Sequence, residues 1–285
     1  MNPLVIIQAR TGSSRFPRKV LADLNGRPLL AHVVERASAI RGITGVVIAT
    51  TTKERDDPVV TLASSLGVPC FRGSEDDVLD RYYRCAVAFA ADSVARITGD
   101  CPFLNSEVSS AVVAAFLGDP RHFTHNIGPG TDGWDTEVMP FSMLERSWRE
   151  ATEPYDREHV THWARTNLRP WVRLVKTEHI PGAAKWSVDE PADLERVRAI
   201  AREGSEIGRE AKDSITGFKG KVTGLCAYIN GCLQVLLTPP VGKDGVSRDG
   251  QWIDEQRVVD AKTGRPLFAK PQATAGGPQQ APATH

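Results

Sequence analysis

Short apolar runs alternate with longer amphipathic stretches over the first hundred residues of the chain. The apolar runs predict buried strands, at Leu4–Ala9, Val46–Thr50, Val68–Phe71 and Val94–Ile97. The stretches between them have helical periodicity, at Leu29–Ile40, Pro58–Leu66 and Val78–Phe89. This alternation favours an α/β domain whose mixed, mainly parallel sheet is covered by helices on both faces. In such a sheet, ligands bind beyond the carboxyl ends of the strands.

The pattern continues less regularly up to about residue 204. Further helices are predicted at Glu107–Leu117, Phe141–Ala151, Pro154–Asn167 and Pro191–Glu203. Further strands are predicted near Thr136–Met139, Val172–Thr177 and Lys185–Val188. The last helix has a clear start, because Asp189 is a good N-cap residue and Pro191 suits the first helical turn. Residues 1–204 are therefore predicted to form one domain.

The chain changes character after Gly204, where glycines separate short strand-like runs. Residues 205–262 are predicted to form a small SH3-like β-barrel module. Its predicted hairpin joins Lys219–Leu225 to Cys232–Leu237 through Ile229-Asn230-Gly231, and Trp252–Val259 is predicted to add a strand. Residues 263–285 are rich in Ala, Pro, Gly, Gln and Thr, which predicts a disordered tail.

Composition and charge narrow the class of protein. Of the 285 residues, 41% are hydrophobic, which is enough for a sizeable core. Thirty-five basic residues balance thirty-five acidic ones, so the overall charge favours neither a nucleic acid nor an anionic membrane as partner. Without a membrane-length apolar run or a signal peptide, we expect a cytoplasmic protein. Five scattered cysteines argue against a disulfide framework and a zinc site.

The first strand leads directly into a loop of small and cationic residues, Ala9 to Lys19. The small residues allow backbone N–H groups to approach anionic oxygens, and four cationic side chains, Arg10, Arg15, Arg18 and Lys19, supply charge. The loop predicts a nucleoside-triphosphate site. It contains neither the P-loop pattern nor the G-x-G-x-x-G spacing of dinucleotide folds.

Two aspartates are placed to bind the divalent cation that a triphosphate requires. Asp100 and Asp189 each follow a predicted strand, and carboxylate oxygens are the ligands that magnesium prefers. Either residue could instead serve only as a helix N-cap. The two together predict a Mg²⁺ site.

Four ordered segments resemble a known family. They are Gln8–Lys19, Arg72–Tyr83, Thr98–Pro102 and Trp186–Leu194. They look like the cytidylyltransferases of the spore-coat-polysaccharide type, relatives of the enzymes that make CMP-Kdo and CMP-sialic acid. The resemblance covers residues 3–203 and implies a Rossmann-like nucleotidyltransferase domain. It also implies that a sugar or sugar-phosphate oxygen attacks the α-phosphate of CTP and that pyrophosphate leaves.

The resemblance also implies roles for particular residues. The triphosphate would be held by Ala9, Arg10, Gly12, Ser13, Arg15 and Lys19. Among these, Lys19, Arg15 and Arg10 are the catalytic candidates, with Lys19 at the α-phosphate and Arg15 at the pyrophosphate. The base and ribose would be bound by Arg72, Ser74, Asp77, Arg81 and Arg96, the metal by Asp100 and Asp189, and the acceptor by Asp135, Glu137 and His159.

Structural roles remain open for several of these residues. Asp77 and Arg81 could simply be charged residues in the first turns of a helix, and Arg96 could form a salt bridge at a sheet end. Asp135, Glu137 and His159 could be solvated. Relatives commonly pair as homodimers, and the carboxy-terminal module is expected to recruit a protein partner or mediate assembly, unless Trp252 and Tyr228 merely fill its core.

Two other functions fit parts of the pattern. A GT-A glycosyltransferase uses a similar sheet and metal, but Gly99-Asp100-Cys101-Pro102 lacks the second aspartate of an Asp-x-Asp motif. A non-catalytic nucleotide-binding adaptor would have no need for the cationic loop and both aspartates.

Overall fold

The computed structural model describes residues 2–128, 132–176, 185–203, 209–227, 233–239 and 250–268. The chain divides into two compact units, residues 1–201 and 202–285. Each unit is described separately. Within the described ranges, none of the helices combines the length and apolar character needed to cross a membrane.

The described residues of the first unit contain nine strands. They are β1 (Leu4–Gln8), β2 (Asp23–Leu24), β3 (Arg27–Pro28), β4 (Gly45–Thr51), β5 (Cys70–Gly73), β6 (Ser93–Thr98), β7 (Phe123–His125), β8 (Glu137–Pro140) and β9 (Val172–Leu174). β2 and β3 form a separate hairpin, and the other seven form one sheet in the order β5-β4-β1-β6-β8-β7-β9. β4, β1 and β6 at its centre are parallel, whereas β8 is antiparallel to both β6 and β7. The sheet is therefore mixed and mainly parallel, as predicted.

In the described part of this unit, eight α-helices accompany the sheet. They are α1 (Leu29–Ser38), α2 (Asp57–Ser65), α3 (Val78–Ala88), α4 (Ser106–Gly118), α5 (Phe141–Glu150), α6 (Pro154–Glu158), α7 (His162–Asn167) and α8 (Pro191–Glu203). Residues of α1, α2, α4 and α8 pack in one hydrophobic cluster with Val5 and Ile7 of β1. Residues of α3, α5 and α7 pack in a second cluster with Leu4 and Ile6. Because successive strand residues point to opposite faces, the helices cover both sides of the sheet.

Two predicted elements of this unit are wrong. Residues 185–190 contain no strand, because their backbone groups bind neighbouring loops instead: Val188 N–H donates to Asp100 O at 2.9 Å. The predicted helix Pro154–Asn167 is two short helices, α6 and α7. Val160 between them has φ of 45°, which a β-branched residue rarely adopts and which ends the helix. The short strand β7 was not predicted.

The second unit contains a five-stranded antiparallel sheet. Its strands are β10 (Glu210–Asp213), β11 (Lys219–Ala227), β12 (Leu233–Thr238), β13 (Gln251–Asp254) and β14 (Val258–Asp260). They lie in the order β13-β12-β11-β10-β14, so β11 and β12 pair as predicted, although the connecting residues 228–232 lie outside the described ranges. A 3₁₀ turn, Glu255–Arg257, divides the predicted strand Trp252–Val259. Closure into a barrel stays a prediction.

The end of the second unit corrects the predicted start of the disordered tail. Pro266 forms a β-bridge with Val259, and Phe268 is buried in the core of this unit. Residues up to 268 therefore pack against the sheet. The remaining predicted tail, residues 269–285, lies outside the described ranges.

Candidate active site

The loops after β1 and β6 meet beside each other. β1 lies between β4 and β6, and its last residue, Gln8, is in register with Ala49 on one side and Thr98 on the other. The chain order reverses at this point of the sheet, which is where open α/β sheets bind ligands. Gly99 permits the close approach of the two loops, because a Cβ there would lie 2.8 Å from Gln8 O.

A buried aspartate fixes the loop after β1. Thr11 donates its backbone N–H and its hydroxyl to Asp56 Oδ1 at 2.6 and 2.7 Å, and Thr51 at the end of β4 donates its hydroxyl to Asp56 Oδ2. Arg18 takes a left-handed conformation and donates its N–H to Thr11 O at 2.8 Å. Thr11 is thus the fixed point from which Arg10 and the residues up to Lys19 are positioned.

The loop lines a cavity of about 380 Å³. Ten of the residues that the sequence analysis assigned to the site line it: Ala9, Arg10, Ser13, Arg15, Lys19, Arg81, Arg96, Asp100, His159 and Asp189. The cavity therefore brings together the predicted triphosphate residues other than Gly12 and both predicted metal ligands. Of the described residues assigned to the site, Gly12, Arg72, Ser74, Asp77, Asp135 and Glu137 do not line it.

Lys19 joins the two aspartates. Its Nζ lies 2.6 Å from Asp100 Oδ2 and 3.2 Å from Asp189 Oδ1, and it also donates to Val188 O at 2.8 Å. Arg15 lies 3.2 Å from the same oxygen of Asp189. The ammonium group is largely buried, whereas Arg15 is exposed. A charge-assisted cluster of this kind has both a cationic part for phosphates and an anionic part for a metal ion.

The carboxyl group of Asp189 is ionised at neutral pH. Partial burial raises its pKa, but Lys185 and Lys19 more than compensate, so that the pKa lies below its usual value. Lys185 Nζ lies 2.9 Å from Asp189 Oδ2, the oxygen that does not contact Lys19. Asp189 thus has one oxygen toward Lys19 and one toward Lys185.

The segment expected to bind base and ribose has a mainly structural arrangement. Arg72 donates to Thr51 O and Lys53 O at 3.0 and 2.9 Å. Asp77 caps α3 and accepts from Arg157 Nε at 2.9 Å. Arg81 lines the cavity while donating to the backbone oxygen of Ser74 at 2.6 Å.

Arg81 is buried to 1% exposure, and burial lowers its pKa. Its Nε has no hydrogen-bond partner among the described residues. A buried donor without a partner carries a large desolvation cost, so Arg81 is the residue of this segment best placed to bind a ligand.

Of the three residues expected to bind the acceptor, His159 lines the cavity, whereas Asp135 and Glu137 do not. Glu137 is buried, pairs with Arg96 and accepts the Thr161 hydroxyl at 2.6 Å. Burial opposes the charge of Arg96, but Glu137 outweighs it and raises the Arg96 pKa. His159 lines the cavity and packs against Tyr155, with the two rings tilted at 48° and their centroids 4.1 Å apart.

Sequence reasoning missed several residues of this site. Gln8, Thr98 and Glu158 line the cavity, and the first two could have been found because they end adjacent strands. Asp56 gave no signal, since its role depends on the fold that brings the end of β4 to the loop after β1.

The donor set fits a magnesium ion bound together with a nucleotide. The described residues contain no group of three or more His, Cys, Asp or Glu side chains arranged for a metal ion. Asp100 and Asp189, however, line the same cavity, and both accept a hydrogen bond from Lys19 Nζ. Magnesium is commonly held by one or two carboxylates and completes its shell with water and substrate phosphates, so two carboxylates suffice.

The fold and the site define a nucleotidyltransferase, and comparison with known proteins gives the family. Residues 4–186 match the family model described as cytidylyltransferase. The chain belongs to the cytidylyltransferase family.

The chain is also similar to individual curated proteins. The chain is 30% identical to the spore coat polysaccharide biosynthesis protein SpsF of Bacillus subtilis, over 71% of this chain and 88% of that protein. It is 41% identical to an uncharacterized protein of Methanocaldococcus jannaschii, over 59% of this chain and 68% of that protein. It is 40% identical to a 3-deoxy-manno-octulosonate cytidylyltransferase of Anaeromyxobacter dehalogenans, over 42% of this chain and 49% of that protein.

Solved structures show the same fold. A cytidylyltransferase from Leptospira borgpetersenii superposes with a TM-score of 0.66 at 29% identity, covering 70% of this chain and 86% of that one. A CMP:2-keto-3-deoxy-manno-octonic acid synthetase complexed with CTP superposes with a TM-score of 0.56 at 20% identity, covering 72% of this chain and all of that one. The second likeness concerns the fold alone.

Proposed function

We propose that this enzyme transfers CMP from CTP to a hydroxyl group of a sugar or sugar phosphate, with Mg²⁺, and releases pyrophosphate. The observation that carries the proposal is the cavity in which Arg10, Arg15 and Lys19 face Asp100 and Asp189. Family membership supports CTP as the nucleotide. The relatives named for spore coat polysaccharide and octulosonate support a sugar-type acceptor.

The proposed mechanism assigns most of the catalysis to positioning and charge. Arg10 and Arg15 would bind the β- and γ-phosphates, and Lys19 would stabilise the charge that grows on the α-phosphate as the acceptor oxygen attacks. Asp100 and Asp189 would hold the magnesium ion, which supplies partial neutralisation of the triphosphate. Little covalent chemistry is required of the protein in such transfers.

The test is pyrophosphate release with Mg²⁺, each of the four nucleoside triphosphates and a panel of sugars and sugar phosphates. We expect release that requires both CTP and one acceptor class. Asp100→Asn should abolish it, whereas Asp119→Asn, which alters an aspartate paired with surface Arg121, should not. Normal turnover by the Asp100→Asn variant, or silence of the wild type with every pair, would refute the proposal.

A homodimer and a partner-binding role for the second unit remain predictions. Sedimentation of the full chain tests the first. Removal of residues 205–285, which should leave pyrophosphate release intact, tests whether the second unit contributes to chemistry.

A further inference from the structure

Asp193 holds the segment that carries Asp189. Its Oδ2 accepts the backbone N–H groups of Asp189 and Glu190 at 2.9 and 3.1 Å and Lys185 Nζ at 2.7 Å. Its Oδ1 accepts a hydrogen bond from Arg196 Nη1 at 2.8 Å. Four donors therefore converge on one carboxylate in the first turn of α8. This arrangement replaces the strand pairing expected for residues 185–188.

Lys185 is shared between two carboxylates. Its Nζ lies 2.7 Å from Asp193 Oδ2 and 2.9 Å from Asp189 Oδ2. The other oxygen of Asp189 contacts Lys19 and Arg15 at 3.2 Å. Asp193 thus influences Asp189 in two ways. It fixes the backbone from which the Asp189 side chain projects, and it shares the ammonium group of Lys185 with Asp189.

The sign of the effect follows from the charges. The carboxylate of Asp193 accepts hydrogen bonds from Lys185, Arg196 and two backbone N–H groups. Its negative charge therefore competes with Asp189 for the ammonium group of Lys185. With a neutral side chain at this position, Lys185 would pair with Asp189 alone. A better-paired Asp189 is a weaker ligand, because a bound cation must then compete with a closer ammonium group.

We propose that Asp193 is a positioning residue that keeps Asp189 oriented and only partly neutralised, so that it can bind the metal ion of a metal–nucleotide complex. This inference rests on the proposed function. Replacing a residue that hydrogen-bonds to a metal ligand commonly lowers metal affinity about 10- to 100-fold.

The experiment is a titration of Mn²⁺ by electron paramagnetic resonance at fixed CTP, which measures binding without turnover. Wild type, Asp193→Asn, Asp189→Asn and the double variant form a thermodynamic cycle. We expect Asp193→Asn to weaken Mn²⁺ binding about 10-fold in the wild-type background. It should have almost no further effect once Asp189 is replaced. Adding Lys185→Met to Asp193→Asn should recover part of the loss.

Glu195→Gln is the matched control, since Glu195 is also an acid near the start of α8 and pairs with Arg198 instead of the Asp189 segment. It should leave Mn²⁺ binding unchanged, and thermal unfolding of every variant shows whether it is folded. Equal affinity of wild type and Asp193→Asn would overturn this inference alone. A loss of the same size in the Asp189→Asn background would also overturn it, because the effect would then not act through Asp189. No Mn²⁺–CTP binding by the wild type would overturn the proposed function as well.

Discussion

Three buried threonines near the active site should respond in opposite directions to the same substitution. Thr50 and Thr51 end β4 and are 0% exposed, and Thr11 in the nucleotide loop is 4% exposed. Thr11 and Thr51 donate their hydroxyls to Asp56, whereas Thr50 Oγ1 has no hydrogen-bond partner among the described residues. Valine has nearly the same shape as threonine, so replacement changes mainly the hydrogen bond.

The expected free energies follow from these contacts. A hydrogen bond to a charged group contributes about 1.5–3 kcal/mol, so Thr51→Val and Thr11→Val should each destabilise the protein by about that amount. Asp56 would remain buried with fewer donors, which adds to the cost. Thr50→Val removes a buried hydroxyl whose desolvation is not compensated, and we expect an unchanged or slightly increased stability, by up to about 1 kcal/mol.

Urea unfolding monitored by tryptophan fluorescence measures these differences. Five of the six tryptophans lie in residues 1–201, so the signal reports mainly on the unit that contains the substitutions. Shifts in the midpoint at an unchanged slope give the change in stability. Thr11→Val should also weaken CTP binding, because Thr11 anchors the nucleotide loop, whereas Thr50→Val should not. A loss of stability in Thr50→Val as large as that in Thr51→Val would refute the reasoning.

Four further outcomes are expected. Lys19→Ala should lower kcat by about 10²- to 10³-fold, with a smaller change in KM for CTP, because charge on the α-phosphate grows in the transition state; steady-state kinetics test this. Gly133→Ala should lower the melting temperature and pyrophosphate release, since φ is +86° and a Cβ would lie 2.5 Å from the backbone of Trp186. Burial raises the pKa of Cys85 to about 12, so the thiol ionises at lower pH in the unfolded chain than in the folded protein. The free energy of unfolding should therefore fall from about pH 9 to 12, and it should fall less in the Cys85→Ala variant. A chain ending at residue 204 should fold and retain pyrophosphate release, as circular dichroism and the assay can show.

The centre of the sheet could be predicted from sequence because its strands are buried on both faces. The continuous apolar run Leu4–Ile7 is buried throughout, which is typical of a central strand in a parallel sheet. The cationic loop and Asp100 follow such strands directly, so their convergence at one edge followed from the topology. These predictions needed only local pattern and the rule for parallel strands.

The region around Asp189 could not be predicted in the same way. Lys185–Val188 has the alternation of a strand, but its backbone N–H groups bind loops, and the side chain of Lys185 binds Asp193 in the first turn of α8. The deciding contact is Asp193 with four donors, three of them from residues 185–190. The pattern of hydrophobic residues does not predict that a charged side chain such as Asp193 fixes the conformation of a neighbouring segment.

On the predicted acceptor side, Glu137 does not line the cavity but contacts the turn that carries His159. Glu137 was expected to contact the acceptor, but it pairs with Arg96 and accepts the Thr161 hydroxyl. Thr161 directly follows Val160, whose left-handed backbone costs about 1–3 kcal/mol and persists only where neighbours enforce it. His159 on the other side of Val160 lines the cavity. Glu137 therefore fixes the turn that presents His159, and the residue that contacts the cavity is the histidine.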